Sequence, residues 1–378
     1  MSVAANNDDL LNLLLAFSAS HRARLLNRPI PVHRIAHWVQ DIFPKLRRAL
    51  SEGSHPTSTD TLTTAIMLAS LEIIAPNTFE VEVSWKEHLT VARELIKARG
   101  GLQSVRRIDV SHFLGRWFAY LDVIGSLSGS TNDGPLSSDY WSNEDLNDDD
   151  GYQIDCMLGF TSRLIKILAS IAELAKQCEG ERIENSMVRE DWQPSAEVGE
   201  KAEKLKADLQ EGRDHVYKSC THRRSPHGSE DSLDSLEVYA TNEAFHWAGY
   251  IHLSQRVLGK PASDPDVQDA VREIVGALYK VRCGGTAEAC LLFPMFTAGC
   301  YAVDQDSKDR ITERLKSVEG FGLTHVRHPS RFKPLTACRK ELAKFCIGAQ
   351  GPKTHAEGLG YWKAVGESCV GRVLWMKS

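Results

Sequence analysis

The sequence predicts an all-α fold, a single large irregular bundle or array of about 10–13 helices. Three observations predict it. Apolar residues recur at a period near 3.6 in almost every long window, no strand-rich region or repeat interrupts them, and the breaks between windows carry helix caps, Pro, or Gly- and Ser-rich polar stretches. The chain has 378 residues, 42% hydrophobic and 25% charged, the ordinary balance of a globular protein, and residues 1–378 read as one domain. No apolar run approaches the ~20 residues that span a bilayer, so no membrane segment is expected. Asp8 and Asp9 make the N-terminus acidic, which argues against a signal peptide in the LLNLLLAF that follows.

The first helix is expected over 8–26, with Leu10, Leu13, Leu14 and Phe17 on its buried side. A second starts after Pro31 and repeats Ile35, Trp38, Val39, Ile42, Phe43 and Leu46, with Pro44 kinking it or opening its last segment. A third covers 60–75 and stops before Pro76. Ser84 and Glu87 have capping-box spacing, and Gly100-Gly101 supplies a left-handed stop, so 84–99 is a self-capped helix burying Leu89, Ala92, Leu95 and Ile96 beside Trp85. Asp109 opens the next, through Phe113, Trp117, Phe118, Leu121 and Ile124.

Residues 117–162 hold no Lys or Arg, and 128–152, rich in Ser, Asn, Asp and Gly, read as a mobile solvated loop. Leu136, Tyr140, Trp141 and Leu146 among its acids also suit an acidic activation segment. Helices are expected again at 153–178 and 195–219, the latter exposed. A second mobile polar break covers 220–232. Further helices fall near 233–258, 265–282, 286–303 and 306–319, with cap signals at Asp264-Pro265 and Gly320. Beyond 325, prolines divide shorter helices, and Tyr361, Trp362, Val365, Val370 and Leu374 mark the last.

The nine cysteines are widely spaced and form no C-x2-C pair, which points to reduced, buried thiols. A net charge of −5 gives no general attraction to nucleic acid, although it leaves room for a local basic patch. His33 and His37 have an i, i+4 spacing but lack the acid of a metalloprotease motif, and they read as surface histidines. Asp148-Asp149-Asp150 has no second acid one helical turn on, so it reads as solvated loop. Cys283-Gly284-Gly285 with Cys290 reads as a tight turn and a buried thiol. Arg223-Arg224-Ser225-Pro226 has the form of a phosphorylation site. No cofactor, metal site or catalytic residue is expected, and the chain is not expected to be an enzyme. Trp247, Phe293, Met295 and Phe296, around the helical Pro294, are candidates for lining an apolar ligand pocket, with plain core as the competing reading.

Four separated stretches together resemble the fungal-specific transcription factor domain, the regulatory domain of fungal zinc binuclear cluster factors. They are LLLAFSASHRARLL with its His21-Arg22 pair; TAIMLASLEII followed by Trp85, His88, Leu89 and the tail ending at Arg99; Glu243 to Leu258; and LLFPMFTAGCYA with Arg310, Arg314-Leu315 and Gly320. Trp362 resembles a late tryptophan of the domain, while Lys344-Phe345-Cys346 departs from it. The resemblance covers nearly the whole chain. It implies an all-helical regulatory domain acting in the nucleus, answering to an apolar small-molecule effector or to transcriptional coregulators. His21, Arg22, Trp85, His88, Leu89 and Arg99 would be structural members of the signature. The cysteine pattern of the zinc cluster is not among these residues and the net charge points away from nucleic acid, so no direct DNA contact is expected from this chain. A homodimer stays open. The competing readings are a stand-alone helical scaffold or an all-helical enzyme acting on an apolar substrate.

Overall fold

Asn7 starts the first helix: its side-chain oxygen accepts the N–H groups of Asp9 and Leu10, both at 3.1 Å. A computed structural model describes residues 6–26, 28–51, 58–74, 85–101, 110–127, 149–155, 158–184, 187–189, 192–215, 217, 232–284 and 286–318. The N-terminal part contains α1 (Asp8–Leu25), α2 (Val32–Val39), α3 (Ile42–Ser51), α4 (Thr59–Ile74), α5 (Trp85–Ala98) and α6 (Val110–Leu127). The expected second helix is therefore two. Pro44 sits in the first turn of α3, where its missing N–H breaks no helical bond.

α5 ends as its sequence requires. Gly100 and Gly101 have φ of 85° and 83°, and their N–H groups reach back to the carbonyls of Lys97 (2.9 Å) and Ile96 (3.0 Å), a Schellman pattern. α4 is apolar on nearly every side, and residues 62–71 are all buried; it packs against α5, α1, α3 and α6.

A 3₁₀ turn, Asp149–Tyr152, leads to α7 (Ser162–Arg182). The helix expected from 153 thus starts nine residues later, because Thr161 caps it through Leu164 N–H (3.2 Å) and Gly159 takes φ 82° just before. A short antiparallel ladder, β1 (Ile183–Glu184) with β2 (Met187–Val188), follows. α8 (Ala196–Asp214) is capped by Ser195 and buries only a narrow stripe, Val198, Ala202, Leu209 and Gly212. Next come α9 (Ser232–His252), which runs into a π-helical turn at Leu253–Val257, and α10 (Pro265–Tyr279), capped by Asp264.

α11 (Thr286–Cys290), α12 (Leu292–Tyr301) and α13 (Gln305–Val318) complete the described chain. The single helix expected over 286–303 breaks at Leu291, because Pro294 has no N–H to continue the ladder and instead lies in the first turn of α12.

One continuous apolar core runs from Leu10 in α1 to Val318 in α13. α6 joins its two ends, packing on α4 and α5 on one side and α7 on the other. Ion pairs tie the helices: Arg93 of α5 with Asp122 of α6, buried, and Arg116 of α6 with Asp155 before α7, part-buried. Among the described residues, no helix is long and apolar enough to cross a membrane. Of the two loops expected to be mobile, 128–152 lies outside the described residues apart from the 3₁₀ turn, and 220–232 apart from Ser232. The helices expected beyond 325, with Trp362, lie outside them too.

Candidate functional site

α9 carries the largest concentration of buried polar side chains among the described helices: Glu237, Thr241, Asn242, His246 and His252, with Ser254, Gln255 and Arg256 in its π turn. The rest of its buried surface is aromatic and small. Phe245 lies between Phe160 (ring centroids 4.2 Å apart) and Phe293 (5.8 Å), and Phe160 also meets Tyr120 of α6 at 6.1 Å. Phe293 stacks on His252 at 5.4 Å with the rings 6° from parallel, and His252 Nε2 lies 3.2 Å from Thr297 Oγ1. A file of rings thus crosses the interior from α6 to α12.

Of the four side chains singled out around Pro294, Phe293, Met295 and Phe296 are buried on α12. Phe293 belongs to the ring file. Trp247 lies two residues beyond Phe245, about 200° round the helix, and so faces α8 instead. There the Arg213 guanidinium sits 3.6 Å from its ring centre, and Tyr250 meets it edge-on at 6.0 Å. The structure therefore splits the four between an inner group and a half-buried surface group.

The π turn ends the file. Leu258 N–H donates to the Leu253 carbonyl at 3.0 Å, the wider bond that defines such a turn, and Gly259 follows with φ 68°. A Cβ on Gly259 would stand 3.2 Å from the Trp192 ring, so a side chain there is both strained and crowded. Arg256 donates through Nε (2.8 Å) and Nη2 (2.5 Å) to Glu179 Oε1, and through Nη1 (2.5 Å) to the Leu127 carbonyl at the end of α6. Arg182 donates to the Gln255 carbonyl at 2.8 Å, which satisfies a carbonyl that the π geometry frees. Burial lowers the Arg182 pKa, and the Glu179 charge opposes that shift. This turn has no signature in local periodicity. Its only advance sign is the unusual density of polar residues, SQR, at the end of an apolar helix.

On the α8 side, His246 Nδ1 bonds the Asn242 carbonyl at 2.8 Å and its Nε2 lies against Gly212. Burial pushes its pKa down to about 4, as it does for His88 in α5, whose ring packs on Phe43 at 5.4 Å. Both imidazoles are therefore neutral spacers near pH 7. Leu89 is buried beside His88, Arg99 donates to Thr59 Oγ1 at 2.9 Å, and Arg22 is exposed while His21 is half-buried. Trp85 opens α5.

Elsewhere, Cys283 is exposed and accepts a contact from Arg314 Nη1 at 2.6 Å, while Cys290 is buried. His33 and His37 are exposed on α2. Among the described residues, no group of three or more His, Cys, Asp or Glu is placed to hold a metal. The ring file and π turn bring together side chains and carbonyls of α6, α7, α9 and α12.

The described residues thus form an all-α array with a polar-aromatic centre and two buried, neutral histidines. Residues 1–329 match the fungal specific transcription factor domain, and the chain belongs to that family. No curated protein and no solved structure matches it. The family is a non-enzymatic one, and this chain is a fungal transcription factor domain of the regulatory type.

Proposed function

We propose that this domain acts in the nucleus, where an apolar small-molecule effector or a coregulator shifts the packing around α9 and thereby changes transcription. The observation that supports this most directly is the ring file from Tyr120 to His252, ending on a π turn. Two of its contacts are stacked, Phe245 on Phe293 and Phe293 on His252, and an apolar molecule would enter between these rings. The turn beyond would pass the displacement through Arg256 to α6 and α7. The continuous core from Leu10 to Val318 supports reading the described residues as one unit. Trp247, Phe293, Met295 and Phe296 are the side chains offered as ligand contacts.

Thermal melting of the chain with a panel of sterols and long-chain fatty acids tests the effector. A saturable rise in Tm is expected, because a ligand that binds only the folded state stabilises it by mass action. Phe293→Ala, with helicity intact, should abolish the rise. A ligand whose effect survives both Phe293→Ala and Trp247→Ala removes those residues from any binding role.

A further inference from the structure

The charge of this chain is segregated. Residues 20–51 contain six Arg (22, 24, 28, 34, 47 and 48), Lys45 and three histidines, against one acid, Asp41, in a chain whose net charge is −5. Residues 1–19 and 52–319 are strongly acidic by contrast, while residues 320–378 are again net basic. The structure lays this stretch over the end of α1, the α1–α2 connection, α2 and α3. Ile35, Val39, Ile42 and Leu46 hold α2 and α3 to the core. Those anchors turn the basic side chains outward: Arg22, Arg28, His33, Arg34, His37, Lys45, Arg47 and Arg48 are all exposed. Lys45 is 56% exposed and pairs with Asp9 at 2.6 Å, so part of its charge is already answered.

We propose that the α2–α3 face contacts the phosphate backbone of duplex DNA without reading its sequence. Three features favour this partner. Arginine outnumbers lysine six to one across residues 20–51, and its planar fork suits phosphate oxygens. Arg34, Lys45, Arg47 and Arg48 stand on two consecutive helices that are anchored to the core, not on an extended segment. The strongly acidic balance of residues 1–19 and 52–319 repels a polyanion from the rest of the described helices, which favours approach through this face. The choice of duplex over another polyanion rests on membership of a transcription factor family; the regulatory reading does not depend on it. Such contacts add affinity and hold a regulatory domain down beside its DNA, while sequence selection belongs to another module.

Fluorescence anisotropy of a short mixed-sequence duplex, titrated with the full chain, tests the proposal. Binding is expected at low salt, weakening about a hundredfold between ~50 mM and ~200 mM salt, as release of counterions from a few phosphates demands. The triple variant Arg28→Gln/Arg34→Gln/Arg48→Gln should bind at least about a hundredfold more weakly and lose most of the salt dependence. Its melting temperature should match the parent, because all three side chains are exposed. Lys201→Gln/Lys204→Gln, on the outer face of α8, should leave binding unchanged. Absence of duplex binding at low salt would overturn the proposal, as would full affinity in the triple variant. So would tight binding of polyglutamate that duplex DNA fails to compete away, which would assign the face to an acidic protein.

Discussion

His88 and His246 show what burial does to a single side chain. Each has its pKa pushed from the usual value down to about 4, with burial the leading cause in both. An unfolded chain would protonate them near pH 6.5, so between that value and about 4 the unfolded state binds more protons than the folded one. Their contribution is fully present above pH 6.5 and is lost as pH falls toward 4. Melting temperature should therefore drop steeply from pH 6.5 to 4.5, and His246→Gln should make that drop shallower. A flat profile across the window would show that neither imidazole is held neutral. His246 also fixes its neighbour. A Cβ on Gly212 would stand 2.6 Å from His246 Nε2, so Gly212→Ala should destabilise by about 2 kcal/mol through overpacking, read by denaturant midpoint. Neither role was legible in advance. The sequence shows a histidine on an apolar helix and a glycine on a charged one, and only their meeting across α8 and α9 gives them a job.

At the scale of elements, local chemistry was the legible part. The Gly100-Gly101 stop, the Asp264 cap and the Pro44 restart of α3 all follow from residues within one turn of the boundary. The breaks that escaped were of two kinds. Thr161 looked like one more residue of a helix already under way, and Leu291 carried no breaker of its own because the cause, Pro294, lies three residues on. Ties between helices were illegible for a further reason: they join residues far apart in sequence. Arg93 and Asp122 are the clearest case, with side chains 5% and 0% exposed. Arg93→Met alone should cost about 3–5 kcal/mol by removing the guanidinium that answers the buried Asp122 carboxylate, and Arg93→Met/Asp122→Leu should recover most of it. Equal losses in the single and double variants would mean that the pair's charges matter less than the packing around them.

Across the whole molecule, the fold class and the family were readable because they are spread over many residues. Helical periodicity repeats in every segment, and four dispersed stretches had to occur in order. The candidate site was less readable. Phe293, Met295 and Phe296 were found as a group because they are adjacent on one helix, whereas Tyr120 and Phe160 joined the same file from elsewhere in the chain. Trp247 fell on the other side of α9, which spacing in the sequence alone could have shown. The basic face was hidden by averaging: a net charge of −5 conceals a stretch of opposite sign.

As a regulatory-type domain of a transcription factor family, this chain is expected to change transcription when brought to a promoter. Tethering the full chain to a heterologous DNA-binding domain, upstream of a reporter in fungal cells, tests it most directly. The account predicts that reporter output departs from that of the DNA-binding domain alone, in either direction. It further predicts that Arg256→Ala, which severs the π turn from α6 and α7, brings output back toward that baseline while the protein still accumulates. An abundant, nuclear fusion whose output equals the DNA-binding domain alone, under every growth condition tried, would contradict it.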